Sequence, residues 1–356
     1  MRKITRQVMV GNIPVGGGAP ISIQSMTNTD TADPAATLAQ IERLEQAGCQ
    51  IIRLAVRDMD GIKGFEEIRK RCNMPMVADI HFDYRLAIAA IDAGADKVRI
   101  NPGNIGSDDR VAQVLSKAKS AHIPIRIGVN GGSLEKDLKE KYGGVCAEAL
   151  CESAVKAVSY AESFGFEVIV VALKSSDVQM NYDSYKAYSA ISDRPLHIGL
   201  TESGGGEMAM IKSSAALGAL LLEGIGDTMR ISLTGDPVQE VILAKKLLAA
   251  TGVRRTGIDF VSCPTCGRTR VDLPSIASKV EEGLKDTSER LEREGRFLRV
   301  AVMGCEVNGP GEASSADVGV ACGKGVGLLI RKGEIVKRVP EEEIVEELDK
   351  LIKTLV

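Results

Sequence analysis

From residue 20 to about 252 the chain alternates between two hydrophobic patterns. Short β-branched runs, apolar at nearly every position, end in polar residues, and each is followed by a longer stretch with apolar residues at helical spacing. The runs are "ISIQSM" (21–26), "IIRLAV" (51–56), "PMVADI" (75–80), "KVRI" (97–100), "IRIGV" (125–129), "EVIVVAL" (167–173), "LHIGL" (196–200) and "TMRISL" (228–233), eight in all. The stretches between them carry helix start and stop signals. Asp33-Pro34 and Asp236-Pro237 set a capping carboxylate before a proline at the first helical position. Gly48, Gly94, Gly165 and Gly252 stand where helices should end. In 147–164, Ala147, Cys151, Ala154, Val158, Ala161 and Phe164 form one helical stripe.

Strands alternating with helices predict a parallel sheet with right-handed crossovers, and eight units predict an α/β fold closed as a (β/α)8 TIM barrel. A doubly wound sheet uses the same units, but no G-x-G-x-x-G follows the first run, so a dinucleotide fold has little support. After Gly252 the pattern changes. The charged stretch 273–294 reads as helical and "FLRVAVMGC" as a strand. "VGLLIRKGEIVKRV" reads as a hairpin turning at Lys332-Gly333, and "PEEEIVEELDKLIKTLV" as a closing helix. The expected division is a barrel over residues 1–253 and a small α+β domain over 254–356.

Composition narrows the function. Lys+Arg 45 against Asp+Glu 48 gives a net charge of −3, and aromatics are 3% with no Trp. Nucleic-acid binders favour basic faces and stacking aromatics, so no nucleic-acid partner is expected. The opening "MRKITRQVMV" lacks the apolar run of a signal peptide, and no segment reads as a membrane span. A cytoplasmic protein is the expectation, and eight cysteines there suggest buried thiols or metal ligation more than disulfides.

Two cysteines stand out in "SCPTCGRTR" (262–270). Cys263 and Cys266 flank a Pro-Thr loop, a spacing that serves zinc, an iron–sulfur cluster or a redox pair. Cys305, in "MGCEVNGPGE" just past a strand, is a third candidate. A fourth ligand could be Cys322 or, less obviously, Glu312. Cys49, Cys72, Cys146 and Cys151 lie on helices or helix ends and read as core thiols.

In such barrels the active site lies at the C-terminal ends of the strands. Five cations, Arg57, Arg99, Arg126, Lys174 and Arg230, fall on different strand ends. Arg forks match phosphate oxygens and Lys adds a point charge, so the mouth suits a multiply phosphorylated small molecule. Polar company comes from Gln24, Asp79, Asn101, Asn104, Asn130, Ser133, Ser175 and Ser232. The glycine run "SGGGE" (203–207) could add N–H donors. Glu202, beside Thr201, is the favoured proton donor, with His81 as the alternative. His197, mid-strand, reads as a core residue.

The motifs "QSMTNTDT", "ADIHFDYR", "KVRINPGN", "IRIGVNGGSL", "VALKSSD", "LTESGGG", "SCPTCGR" and "GCEVNGPGE" together resemble the 4-hydroxy-3-methylbut-2-enyl diphosphate synthases of the methylerythritol phosphate route to isoprenoids, over residues 5 to 350. The resemblance implies a two-domain oxidoreductase that opens and dehydroxylates 2-C-methyl-D-erythritol 2,4-cyclodiphosphate with two electrons. It implies an iron–sulfur domain with a [4Fe–4S] cluster on Cys263, Cys266, Cys305 and Glu312, which leaves Cys322 outside the ligand set. It implies substrate contacts at Arg57, Arg99, Arg126, Asn130, Lys174, Arg230 and Ser232, and acid catalysis near Glu202 and Thr201. Flavodoxin or ferredoxin is the implied donor, and a homodimer the implied assembly, one subunit's cluster domain capping its partner's barrel. Two readings that owe nothing to the resemblance remain: a phosphate-binding lyase or aldolase with Lys174 as Schiff-base nucleophile and a structural zinc module, and an iron–sulfur metabolite sensor.

Overall fold

The structure is a computed structural model describing residues 2–81, 83–100, 107–269, 271–305, 307 and 309–356. The chain divides into two compact units, Met1–Val253 and Arg254–Val356.

The first unit is built on eight parallel strands: β3 (Ser22–Met26), β4 (Ile51–Ala55), β5 (Met76–Asp79), β6 (Lys97–Ile100), β7 (Ile125–Asn130), β8 (Ile169–Lys174), β9 (His197–Ile198) and β10 (Thr228–Met229). They pair in the order β8-β7-β6-β5-β4-β3-β10-β9, and a parallel bridge from Val171 to Leu196 closes the ring. Each runs where the β-branched pattern predicts it. The last two are much shorter than their runs, so Arg230 follows its strand rather than lying within it. Its N–H still donates to the Ile198 carbonyl at 3.0 Å, which continues the ladder.

Helices follow as expected. Asp33 and Asp236 accept N–H bonds from Ala36 and Val238 at the helices Pro34–Ala47 and Pro237–Ala250. Gly48 closes the first of these at φ 104°, in the left-handed region that glycine occupies without strain. One correction concerns Phe164, which is exposed; the helix Ala147–Ser163 buries Leu150, Cys151, Ala154, Val158 and Ala161 instead.

Side-chain alternation explains the barrel's unusual interior. In β7, Ile125, Ile127 and Val129 join the core beneath the helices, and the alternate residues Arg126, Gly128 and Asn130 belong to the other face. The same parity turns Arg53, Asp79, Lys97, Arg99 and Lys174 inward. At the N-terminal end the inner face is apolar. There Ile51, Val77 and Val170 pack against Val8, Val10 and Val15 of an antiparallel hairpin, β1 (Val8–Val10) and β2 (Ile13–Val15). This plug is absent from the sequence reading because three-residue strands carry almost no periodic signal.

The second unit holds five strands: β11 (Gly257–Ser262), β12 (Phe297–Met303), β13 (Val318–Gly323), β14 (Val326–Arg331) and β15 (Glu334–Pro340). They lie in chain order, the first three parallel and the rest antiparallel. The hairpin turns at Lys332-Gly333, with φ 48° and 86°, as expected. Two features differ. The stretch 273–294 is two helices, Leu273–Gly283 and Lys285–Glu294, meeting at Leu284, whose side chain is buried. The segment after Cys305 contains a short helix, Gly309–Ala313, which the pattern of the sequence does not signal. Among the described residues no helix is long and apolar enough to cross a membrane.

Candidate active site

The barrel interior gathers six cations: Arg53, Lys97, Arg99, Arg126, Lys174 and Arg230. Two buried carboxylates pair with them. Asp79 lies 3.3 Å from Arg99 and 3.8 Å from Arg53. Glu240 lies 3.3 Å from Arg230. Among the described residues the remaining charge is uncompensated. Arg126 is 3% exposed, and its Nε and Nη1 have no hydrogen-bond partner among the described residues. The Nε of Arg99 is in the same position. Lys97, fully buried, reaches only the Gln24 amide oxygen at 3.3 Å among the described residues.

The electrostatics follow from this crowding. Burial, then the charges of Arg126, Arg230 and Arg53, push Lys174 well below its ordinary pKa. Burial and the neighbouring Arg53 and Arg99 do the same to Arg126. Burial alone would raise Asp79, but Arg53, His81, Arg99 and Arg126 together outweigh it and hold the carboxylate far below the usual range. The site is therefore a set of donors and positive charge with too few acceptors. Burying such charge unpaired costs several kcal/mol per ion, and an anion would offset that cost.

Two glycines make room for the crowded cations themselves. At Gly199 a Cβ would lie 2.5 Å from Lys174 Nζ and 2.9 Å from the Arg230 carbonyl. At Gly128 a Cβ would meet Arg99 Nε at 3.3 Å.

Of the residues expected at the mouth, Arg99, Arg126, Lys174 and Arg230 come together. Arg57 is exposed beyond the end of β4, whereas Arg53, four residues earlier, joins the cluster. Strand parity could have found Arg53, since Ile52 and Leu54 face the helices. Lys97 had the same signal. Asn130 accepts the Ser133 N–H and hydroxyl, both at 3.0 Å, and so shapes the loop after β7. The Ser232 carbonyl accepts the Ser203 hydroxyl, tying the loops after β9 and β10. Thr201 is half-buried and donates its N–H to the Ser175 carbonyl at 3.2 Å. Glu202 is exposed, at φ 54°. A left-handed glutamate is uncommon and stores backbone strain, a feature that collects at functional loops. His81 lies 3.4 Å from Asp79 and 3.4 Å from Arg99 Nη1. Asn101 and Asn104 lie outside the described residues. His197 is fully buried, as a core residue should be, but neither ring nitrogen has a partner among the described residues.

In the second unit the thiols sit at the C-terminal ends of parallel neighbours. Cys263 directly follows β11, Cys305 follows β12, and Ser262 pairs with Val302. The Gly304 N–H donates to Cys263 Sγ at 3.2 Å, joining the two loops. Glu312 rides on the short helix Gly309–Ala313. There a Cβ on Gly309 would lie 3.0 Å from Ala321 Cβ and 3.1 Å from Met303 Cβ, so that helix is seated on β12 and β13. Cys266 is exposed; hydrogen bonds from the Arg268 main chain and side chain pull its thiol below the ordinary value, toward the thiolate that ligates metal. Cys322 faces the core from β13, and burial pushes it up to about 12, which keeps it a neutral thiol.

Among the described residues no three His, Cys, Asp or Glu side chains close on a single metal-ion site. A cubane cluster bears each ligand on a different iron, so it needs donors spread wider than one ion does. Two thiols at the ends of neighbouring parallel strands, with Cys266 on the loop of one and Glu312 on the short helix after the other, are of the donor types such a group takes.

Fold and side chains thus define a (β/α)8 barrel enzyme with an anion-attracting interior, extended by a separate thiol-bearing unit. The model for the GcpE TIM-barrel domain matches residues 5–245, and that for the GcpE protein C-terminal domain matches 259–354. The chain belongs to the GcpE family. It is 54% identical to the 4-hydroxy-3-methylbut-2-en-1-yl diphosphate synthase (flavodoxin) of Clostridium acetobutylicum, over 97% of each chain. It is 53% identical to that of Clostridium perfringens over 99% of each. Identity to that of Caldanaerobacter subterraneus subsp. tengcongensis is 51%, over 100% of this chain and 98% of the relative. Among solved structures, the dihydropteroate synthase of Yersinia pestis superposes with TM-score 0.51 at 13% identity, covering 69% of this chain and 98% of that one. That likeness concerns the barrel fold alone.

Proposed function

We infer that this chain catalyses the reductive ring-opening and dehydroxylation of 2-C-methyl-D-erythritol 2,4-cyclodiphosphate to (E)-4-hydroxy-3-methylbut-2-enyl diphosphate, as an iron–sulfur oxidoreductase of isoprenoid biosynthesis. The observation that carries this reading is the barrel interior, where, among the described residues, six cations meet two carboxylates and guanidinium N–H groups stay unpaired. A cyclic diphosphate brings the missing acceptors. Arg99, Arg126, Lys174 and Arg230 hold its phosphates, joined by Arg53, with Asn130 and Ser232 shaping the rim. Arg57, exposed just past the C-terminal end of β4, adds a contact at the rim. The charge that the interior already bears orients the substrate before reaction, so little reorganisation is needed as charge develops on the leaving oxygen.

The [4Fe–4S] cluster would be held by Cys263, Cys266, Cys305 and Glu312. When bound, that group supplies electrons singly from reduced flavodoxin, a donor that the relatives' names carry. Glu312, as the one oxygen donor, is a harder and more exchangeable ligand than its thiolate companions. Cys322 stays a core thiol. Glu202 carries the proton that leaves with the substrate hydroxyl as water, held in place by the strained turn beside Thr201. His81, bonded to Asp79 and Arg99, steadies the inner wall. The enzyme works in the cytoplasm as a homodimer in which each subunit's second unit closes its partner's barrel.

The test is turnover. Anaerobically purified, cluster-loaded protein given cyclodiphosphate and reduced flavodoxin should release the allylic diphosphate. Glu312→Ala should disturb the cluster's absorbance or abolish turnover. Turnover by iron-free protein would overturn the reading.

A further inference from the structure

We propose that Glu240 is a positioning residue for the phosphate cradle, acting through Arg230 and the loop that carries Ser232; this rests on the reading above that those residues meet the substrate's phosphates. Glu240 lies in the first turn of the helix Pro237–Ala250 and is 3% exposed. Capping does not explain it, since Asp236 already caps that helix. Its two oxygens reach back across the preceding loop instead. Oε1 accepts the Leu233 N–H at 2.9 Å and Arg230 Nη2 at 3.4 Å. Oε2 accepts Arg230 Nε at 3.3 Å and the Ser25 hydroxyl at 3.4 Å.

Three consequences follow from this geometry. First, the carboxylate meets the guanidinium fork to fork, which fixes the direction in which Arg230 points. Second, the contacts to Arg230 are long. Charge-assisted N–H···O bonds normally close to about 2.7–2.9 Å. Among the described residues the Arg230 Nη1 meets only the Met26 sulfur, at 3.5 Å, a weak acceptor. Arg230 is therefore aimed but still has its strong bonds to make. Third, Glu240 holds the backbone on both sides of Ser232, through Arg230 and through the Leu233 N–H. The same loop reaches the one bearing Glu202: the Thr234 N–H donates to the Gly204 carbonyl at 3.0 Å, and the Ser203 hydroxyl donates to the Ser232 carbonyl.

A double-mutant cycle on the cluster-loaded enzyme tests the brace. Glu240→Gln keeps the shape and an acceptor for Leu233 but removes the charge facing Arg230. It should raise KM for the cyclodiphosphate about tenfold, within the range of coupling between contacting residues, and leave kcat within about twofold. Arg230→Met should raise KM by more, and the double variant should be no worse than Arg230→Met alone. Glu240→Asp, which keeps the charge but withdraws it from Arg230, should also raise KM and serves if the glutamine variant folds poorly. If Arg230→Met raises KM and neither Glu240 variant does, the brace is refuted while the cradle stands. Multiplying effects in the double variant, or a fall in kcat at constant KM, refute it equally. If Arg230→Met leaves KM unchanged, the cradle itself is misread and the brace falls with it.

Discussion

Replacing Arg126 by Met should make the substrate-free barrel more stable and weaken the enzyme's hold on its substrate. Arg126 is buried with two N–H-bearing nitrogens unpartnered among the described residues, and it stands among Arg53 and Arg99. Each buried unsatisfied group costs about 1–3 kcal/mol. Met fills similar volume without charge, and exchanging buried ions for apolar groups has gained about 1–4 kcal/mol elsewhere. Taking about 2 kcal/mol, at about 2–4 °C per kcal/mol for a unit of this size, the melting temperature should rise by about 4–8 °C. In the complex the balance reverses. A hydrogen bond to a charged group contributes about 1.5–3 kcal/mol, so losing one should raise KM about ten- to a hundredfold. The assay is a thermal melt of substrate-free protein beside steady-state kinetics. A melting temperature lowered by several degrees would refute the reasoning, because it would mean that Arg126 is satisfied in the free protein and the interior holds no unmet demand for an anion.

Three further outcomes are expected. Asp79→Asn should flatten the acid limb of stability. The folded carboxylate is held far below its usual value, so its contribution is complete above the ordinary carboxylate pKa of about 3.9 and is lost only as pH falls below it; an unchanged acid limb in denaturation curves would count against the pairing. Gly199→Ala should drive Lys174 out of place, since the new carbon would lie 2.5 Å from its nitrogen, and should raise KM with the fold retained by circular dichroism. Cys322→Ser should leave iron content and turnover intact while lowering stability by about 1–3 kcal/mol, the cost of a hydroxyl in an apolar core; loss of iron would put Cys322 back among the ligands.

Arg53 and Arg57 occupy one short run and differ only by where the strand stops. The strand ends at Ala55, so Arg53 keeps inward parity and Arg57 passes outside it. Strand ends are set by pairing with neighbours, and a run of apolar letters does not reveal them. Glu240 was invisible for a different reason. It lies in a helix, and its role comes from folding back over its own loop and against Ser25, 215 positions away in the chain. The N-terminal hairpin escaped notice because its strands are too short to show a period, yet it seals one end of the barrel.

The eightfold repeat, the caps of its helices, the change of pattern after Gly252 and the thiol motifs are legible in the chain's letters, because each is local: periodicity, Asp-Pro, a glycine at a helix end, two cysteines three positions apart. Which cations share the interior, which carboxylates oppose them, and that Cys322 is core while Cys263 and Cys305 are joined through Gly304, emerge from the folded ring and sheet. Those outcomes depend on closing a ring of strands, where burial makes charge costly and register chooses which side chains must bear that cost together.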